Sequence, residues 1–287
     1  MRIAAVVTLF HPGKETITNI KSYDSFAEKI YVFDNTEQCS ILAQDFNSHP
    51  KIAYFHNGQN EGIASRLNMA AEFAIKDGFD WLLLMDQDSS FKPSMIADYE
   101  KCFKAFEYKE NIGMFGVNFM QDLQLGNLPC EFVFSEDLIT SGTLLNLALF
   151  PSIGNFDENL FIDGVDHDYS IKTLLGGYKI IQFKNIELTH SIGLLVKRAS
   201  IKTFFLVKKE KILHSPLRCY YIYRNNLYMQ KKYKNIKIFD MGKLETQVSS
   251  AIKRALYYGR SFWKLMYYLA AAKRDFKKNK MGKYQGK

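Results

Sequence analysis

The sequence predicts an α/β protein, a mostly parallel sheet with flanking helices, followed by a basic helical extension. Apolar and β-branched runs at about 3–9, 30–33, 52–55, 81–85 and 112–118 alternate with longer mixed stretches, the βαβ pattern of a sheet covered on both faces. The run Trp81-Leu82-Leu83-Leu84 ends in Met85-Asp86-Gln87-Asp88, so a buried strand delivers two carboxylates to the edge where open α/β sheets bind ligands. Charge then divides the chain: residues 1–196 hold 14 Lys and Arg against 26 Asp and Glu, whereas residues 197–287 hold 24 against 4. The front part suits cations and the rear part seeks anions.

The first strand follows a single Arg, and its short apolar run, Ile3-Ala4-Ala5-Val6-Val7, lacks the length and cleavage site of a signal peptide. Residues 62–76 carry the clearest helical spacing, with Ile63, Leu67, Ala70, Ala71 and Ala74 on one face. Between 119 and 140 the periodicity weakens, and Gly126 and Pro129 mark loops and short strands. From 141 an apolar stretch, a turn near Pro151 to Gly154 and the run Leu160-Phe161-Ile162 precede a helix over 166–175, closed by Gly176-Gly177. Helices over 217–234 and roughly 243–276 fill the basic part, and the last dozen residues, rich in Lys, Asn and Gly, read as disordered. The expected division is therefore a catalytic domain over 1–215 and an extension over 216–287.

No run of 18 apolar residues occurs, so no membrane-spanning helix is expected. The four cysteines, at 39, 102, 130 and 219, show no C-x-x-C spacing. Neither a zinc knuckle nor a disulfide framework is expected, and a reducing cytoplasm fits best. In the second tail helix Ile252, Leu256, Trp263, Met266 and Ala270 recur beside Arg254, Arg260, Lys264, Lys273 and Arg274. Such a helix either lies on anionic lipid at the inner face of the plasma membrane or lays its apolar stripe on the catalytic domain.

If the fourth strand continues through Gln87, Asp86 and Asp88 point the same way and can share one hard divalent cation and the phosphate it carries. A solvated turn is the competing reading of the pair. Asp166 and Asp168 open the helix over 166–175, where carboxylates also favour the positive end of the helix dipole.

Eight ordered segments resemble one family: VVTLFHP (6–12), VFDNT (32–36), NEGIASRLN (60–68), MDQDSS (85–90), SGTLL (141–145), FDENLFIDGVDHDYSIK (156–172), LTHSIG (188–193) and RCYYIYRNN (218–226). The family is the inverting, family 2 nucleotide-sugar glycosyltransferases of the GT-A, Rossmann-like fold, and within it the bacterial rhamnosyltransferase-like branch. The resemblance implies that Thr8 and Asp34 hold the nucleotide base and ribose, with Asn60, Gly62 and Arg66 nearby. It gives Asp88, Asp86 and His190 to Mn²⁺ or Mg²⁺, with Asp86 also reaching the ribose. Asp166 takes the part of catalytic base, with Asp163 and Asp168 as neighbouring rivals. Arg218, Tyr221, Arg224 and Asn225 are expected beside the diphosphate or an acceptor phosphate. Lys172 stands where the family commonly has Arg, which exchanges a planar fork for a point charge.

The implied activity is metal-dependent transfer of L-rhamnose from a dTDP donor to a saccharide or lipid-linked acceptor in surface-polysaccharide synthesis. A galactofuranosyl or other hexosyl transfer from a UDP-sugar uses the same scaffold. A nucleotidyltransferase would want a Gly-rich, basic triphosphate loop, of which Phe10-His11-Pro12-Gly13-Lys14 is a faint version. The basic rear part brings no nucleic-acid-binding motif, so no nucleic acid is expected as partner.

Overall fold

The structure, a computed structural model, describes residues 1–119, 129–190, 194–199 and 206–286. The chain forms two compact units, one of residues 1–158 with 165–190 and the other of residues 159–164 with 191–287. The second unit thus starts earlier than position 216 and also takes a short segment from the middle of the first.

In the first unit the chain runs β1 (Ile3–Leu9), α1 (Glu15–Lys21), β2 (Lys29–Asp34), α2 (Ala43–Ser48), β3 (Ile52–His56), α3 (Gly62–Lys76), β4 (Trp81–Asp86), β5 (Ser89–Phe91), α4 (Pro93–Ala105), β6 (Ile112–Asn118), β7 (Phe132–Phe134), β8 (Thr143–Asn146), α5 (Phe150–Ile153), α6 (Val165–Leu175) and β9 (Lys179–His190). β1 lies between β2 and β4, with β3 beyond β2, and all three pairings are parallel. Because helices cover both faces, β1 needs no polar alternation: Ala4, Ala5, Val6 and Val7 are all fully buried. α3 meets β1 and β4 through the small buried residues Ala64, Ala70, Ala71 and Ala74, which let a helix approach a sheet closely.

Beyond β4 the sheet becomes mixed. β8 runs antiparallel to β4 and β6, β9 runs parallel to β6, and β5 and β7 both pair antiparallel with β9. Rings fill the space beneath this half: Phe115 lies 5.5 Å from Trp81, 5.3 Å from Phe103, 5.0 Å from Phe106 and 5.7 Å from Phe183. α4 opens on Pro93, whose missing N–H costs nothing in a first turn.

Two expectations are corrected here. β4 stops at Asp86, and Gln87 and Asp88 form a turn before β5, so strand alternation does not aim the two carboxylates. A disulfide joins Cys102 to Cys130, although sequence spacing suggested none. Phe106, just after α4, meets Phe132 at the start of β7 with ring centroids 5.2 Å apart, and that tertiary contact brings the two thiols to bonding distance.

The second unit contains a hairpin of β10 (Leu194–Arg198) and β11 (Lys209–Leu213), then α7 (Pro216–Lys232), α8 (Met241–Tyr258) and α9 (Phe262–Lys277). The single helix expected over 243–276 is two helices, broken at Gly259-Arg260-Ser261. The segment around Tyr284, expected to be disordered, is packed: Tyr284 donates its N–H to the Tyr221 hydroxyl at 2.9 Å and lies 4.6 Å from the Tyr220 ring. Three aromatic partners give this tail the apolar contact that its Lys-rich composition concealed. Among the described residues no helix is long and apolar enough to cross a membrane.

Phe115 is fully buried among four rings. Phe115→Ala should therefore lower unfolding free energy by about 3–5 kcal/mol, measured by chemical denaturation, whereas a loss below about 1 kcal/mol would mean the cluster is not packed as described.

Candidate active site

The carboxyl ends of β2, β1 and β4 align on one edge of the first unit. Leu9 lies in register with Asp34, and Thr8 with Asp86, so the two carboxylates flank the end of β1, about 10 Å apart by strand spacing. Between them the Thr8 hydroxyl is buried without a hydrogen-bond partner among the described residues.

Asp34 is wholly buried, and its two oxygens accept from the Thr36 N–H at 2.9 Å and the Tyr54 hydroxyl at 2.8 Å. Burial, then this carboxylate, pushes the Tyr54 hydroxyl's pKa up, so it remains a donor. Its neighbour Asn35 ties the strand end to the start of α3. The Asn35 Oδ1 accepts from Arg66 Nε at 2.7 Å, and its Nδ2 donates to the Gly62 carbonyl at 3.1 Å. Asn60 caps the same turn by accepting from the Gly62 N–H at 3.1 Å. Gly62 sits at φ +83°, a left-handed conformation that explains the glycine more directly than close ligand approach does.

Arg66 is 3% exposed and already engaged. Besides Asn35 it donates to Asn57 Oδ1 at 2.9 Å and the Gln59 carbonyl at 3.2 Å, and it pairs with Glu61 at 3.1 Å. Burial lowers its pKa, and the carboxylates of Glu61 and Asp34 oppose that shift. These contacts clamp the 57–61 loop to the start of α3.

The Asp86–Asp88 turn is held by the residue between the two carboxylates. Gln87 accepts from the Phe10 N–H at 2.8 Å and donates from Nε2 to the Phe10 carbonyl at 3.1 Å. This side chain prolongs the β1–β4 pairing by imitating one more backbone rung. Asn19 donates to the Gln87 carbonyl at 2.9 Å, and the Asp86 N–H donates to the Ser141 hydroxyl at 3.2 Å. Asp88 is exposed, one residue before Ser89, which pairs across the β5–β9 ladder with His190. The ladder therefore places the His190 backbone beside the turn, while its side chain lies outside the described residues.

Two carboxylates on a pinned turn are hard oxygen donors that fit Mg²⁺ or Mn²⁺. Among the described residues no group of three His, Cys, Asp or Glu side chains gathers around one point, and the third ligand expected from the sequence, His190, falls beyond that description.

α6 carries the remaining carboxylates. Asp166 is half-buried in the first turn and accepts the His167 N–H at 3.0 Å. The His167 ring in turn contacts Asp137 at 2.7 Å. Asp168 is fully buried and pairs at 3.0 Å with Lys172, which also donates to the Asn155 carbonyl. That ion pair supports the helix and gives the departure at Lys172 a local reason: a point charge suffices there.

In the second unit Arg218 pairs with Asp163 at 2.6 Å, which commits that rival carboxylate. Arg224, 1% exposed, donates to Asn225 Oδ1, to the Tyr220 hydroxyl and to the carbonyls of Gly282 and Asn159. Every N–H of its guanidinium has a protein acceptor. The structure thus gives Arg224 an internal task where a nucleotide-sugar contact was expected. Asn225 donates from one nitrogen to the carbonyls of Leu160, Ile162 and Asp163 at 2.7, 2.7 and 2.8 Å. Sequence reading quoted Asn35, Gln87 and Ser141 within motifs but gave them no role, and it placed Asn225 with the arginines beside a phosphate. Their signal was adjacency to charged motif residues.

Residues 14–124 match the family model described as glycosyl transferase family 2. The chain is 26% identical over 252 residues to the dTDP-rhamnosyl transferase RfbF of Shigella flexneri, covering 80% of each. Among solved structures, that of GalNAc-T7 with UDP, GalNAc and Mn²⁺ superposes with TM-score 0.54 at 12% identity, covering 97% of this chain and 57% of the other. TarS residues 1–349 of S. aureus, in complex with UDP-GlcNAc, superposes with TM-score 0.51 at 12% identity, covering 96% and 80%. The chain spans 44% of a longer TarS structure.

The fold is that of the GT-A class, shared with these solved structures, and its carboxylate-bearing edge lies where open α/β sheets bind ligands. Within that fold, residues 14–124 are similar to glycosyl transferase family 2, and the chain is similar to a dTDP-rhamnosyl transferase.

Gln87→Ala removes two hydrogen bonds that pin the turn. Unfolding free energy should fall by about 1–3 kcal/mol, and divalent-cation-dependent nucleotide binding, followed by calorimetry, should weaken. Unchanged binding would show that Asp86 and Asp88 do not depend on the clamp.

Proposed function

We propose that this protein transfers L-rhamnose from a dTDP-linked donor to a saccharide or lipid-linked acceptor, with inversion at the anomeric carbon, in surface-polysaccharide synthesis. The observation that carries the donor is the likeness to the dTDP-rhamnosyl transferase RfbF over 80% of both chains. The sheet edge supports the reaction class, because it sets Thr8, Asp34 and Asp86 where a nucleoside diphosphate binds in open α/β sheets.

Asp86 and Asp88, with His190, would hold a divalent cation. When bound, that cation neutralises charge developing on the departing diphosphate. Asp34 and Thr8 face the nucleoside. Asp166 accepts the proton of the acceptor hydroxyl as the new C1–O bond forms and the C1–O bond to the diphosphate breaks on the opposite face. The helix dipole favours Asp166 in its charged, proton-accepting form. GalNAc-T7 and TarS were solved with UDP or a UDP-sugar, which makes a UDP-hexose the competing donor.

Asp166→Asn should lower transfer by about 10²- to 10⁴-fold while calorimetric nucleotide binding persists, and retained turnover would remove Asp166 from the role. Asp88→Ala should abolish the part of nucleotide affinity that depends on Mn²⁺ or Mg²⁺. In a panel of nucleotide sugars, dTDP-rhamnose should be consumed fastest, and preference for a UDP-sugar would overturn the rhamnose assignment without touching the fold.

A further inference from the structure

α9 buries one face and leaves the other uncovered. Leu265, Ala271, Ala272 and Asp275 are buried, whereas Phe262, Trp263, Met266 and Tyr267 are 48%, 83%, 43% and 51% exposed. At 3.6 residues per turn these four and Ala270 fall on one arc opposite the buried set. The same arc continues through Lys273, Arg274 and Lys277, all of them exposed or partly so. The uncovered face is thus aromatic over its first two turns and basic over its last two. Asp275, the sole acid of this helix, is buried and accepts from the Tyr220 hydroxyl at 3.1 Å and from Arg274 Nε at 3.0 Å, which leaves Lys273 and Lys277 as the stronger charges of the arc.

We infer that this face of α9 docks on an anionic lipid bilayer. The Phe262 and Trp263 rings beside Met266 fit the boundary between headgroups and acyl chains, and Tyr267 suits the headgroup level. Lysine and arginine along the same arc attract the negative surface potential of anionic headgroups. Charge argues against a second copy of this chain as occupant, because residues 197–287 carry 24 basic against 4 acidic side chains and would repel their like. The helix break at Gly259-Arg260-Ser261 corrects which residues meet lipid: Ile252 and Leu256 belong to α8, while Phe262 and Tyr267 join Trp263 and Met266.

The test uses the full chain and its own fluorescence. Of the two tryptophans, Trp81 is 4% exposed, so a change on adding vesicles reports Trp263. Vesicles of phosphatidylglycerol and phosphatidylcholine should shift the emission to the blue and carry the protein down on centrifugation, and pure phosphatidylcholine should do neither. Trp263→Ala with Met266→Ser should weaken sedimentation by about tenfold or more, with the melting temperature unchanged because both side chains are solvent-exposed. Absence of a blue shift on anionic vesicles, or sedimentation of the double variant equal to that of the parent, overturns the inference. Self-association in ultracentrifugation that disappears in the double variant would reassign the face to a second copy and overturn it as well.

Discussion

Everything at the site depends on the parallel alignment of β2, β1 and β4, which brings the three strand ends to a common edge. The alignment is enforced from within, because β1 is buried on both faces and a slip of one residue would reverse the direction of every side chain along it. Once the strands are in register, Asp34 and Asp86 flank β1 without any need for a long loop to carry them there. A rigid edge with charged groups at fixed spacing suits a reaction in which electrostatic preorganisation supplies much of the rate.

Neutral amide side chains hold this edge and the loops around it. Asn35, Asn57, Asn60 and Gln87 in the first unit and Asn225 in the second each bond backbone or guanidinium groups that water would otherwise serve. An amide both donates and accepts, so one side chain can satisfy two unlike groups without importing charge. Asn225 shows the magnitude. Phe161 and Asp163 adopt φ of 59° and 68°, at about 1–2 kcal/mol each, and the two N–H groups of the Asn225 amide, shared among three carbonyls, offset part of that strain at about 0.5–1.5 kcal/mol per hydrogen bond.

The first four strands and α3 were legible because each is a local pattern: an apolar run of strand length, or a spacing of small and apolar residues ended by a breaker. Gly62 and the Asp86–Asp88 pair were visible for the same reason. The mixed half of the sheet was not, since the antiparallel pairing of β8 with β4 and β6 is set by partners far along the chain. Cys102 and Cys130 were missed on the same ground. Arg66 and Arg224 were legible only in part: a motif shows an arginine, whereas the burial of both and the protein acceptors around them belong to the tertiary structure. Tyr284 was hidden by the lysines around it.

The closing segment of the chain has a practical consequence. Gly282 lends its carbonyl to Arg224 and its N–H to the Asn159 carbonyl at 2.8 Å, while Tyr284 seals the aromatic pocket above. A buried guanidinium therefore relies on an acceptor only a few residues from position 287. Removing or displacing Gly282 would take an acceptor from a cation in an apolar setting, so any redesign of residues 282–284 must treat them as part of the core.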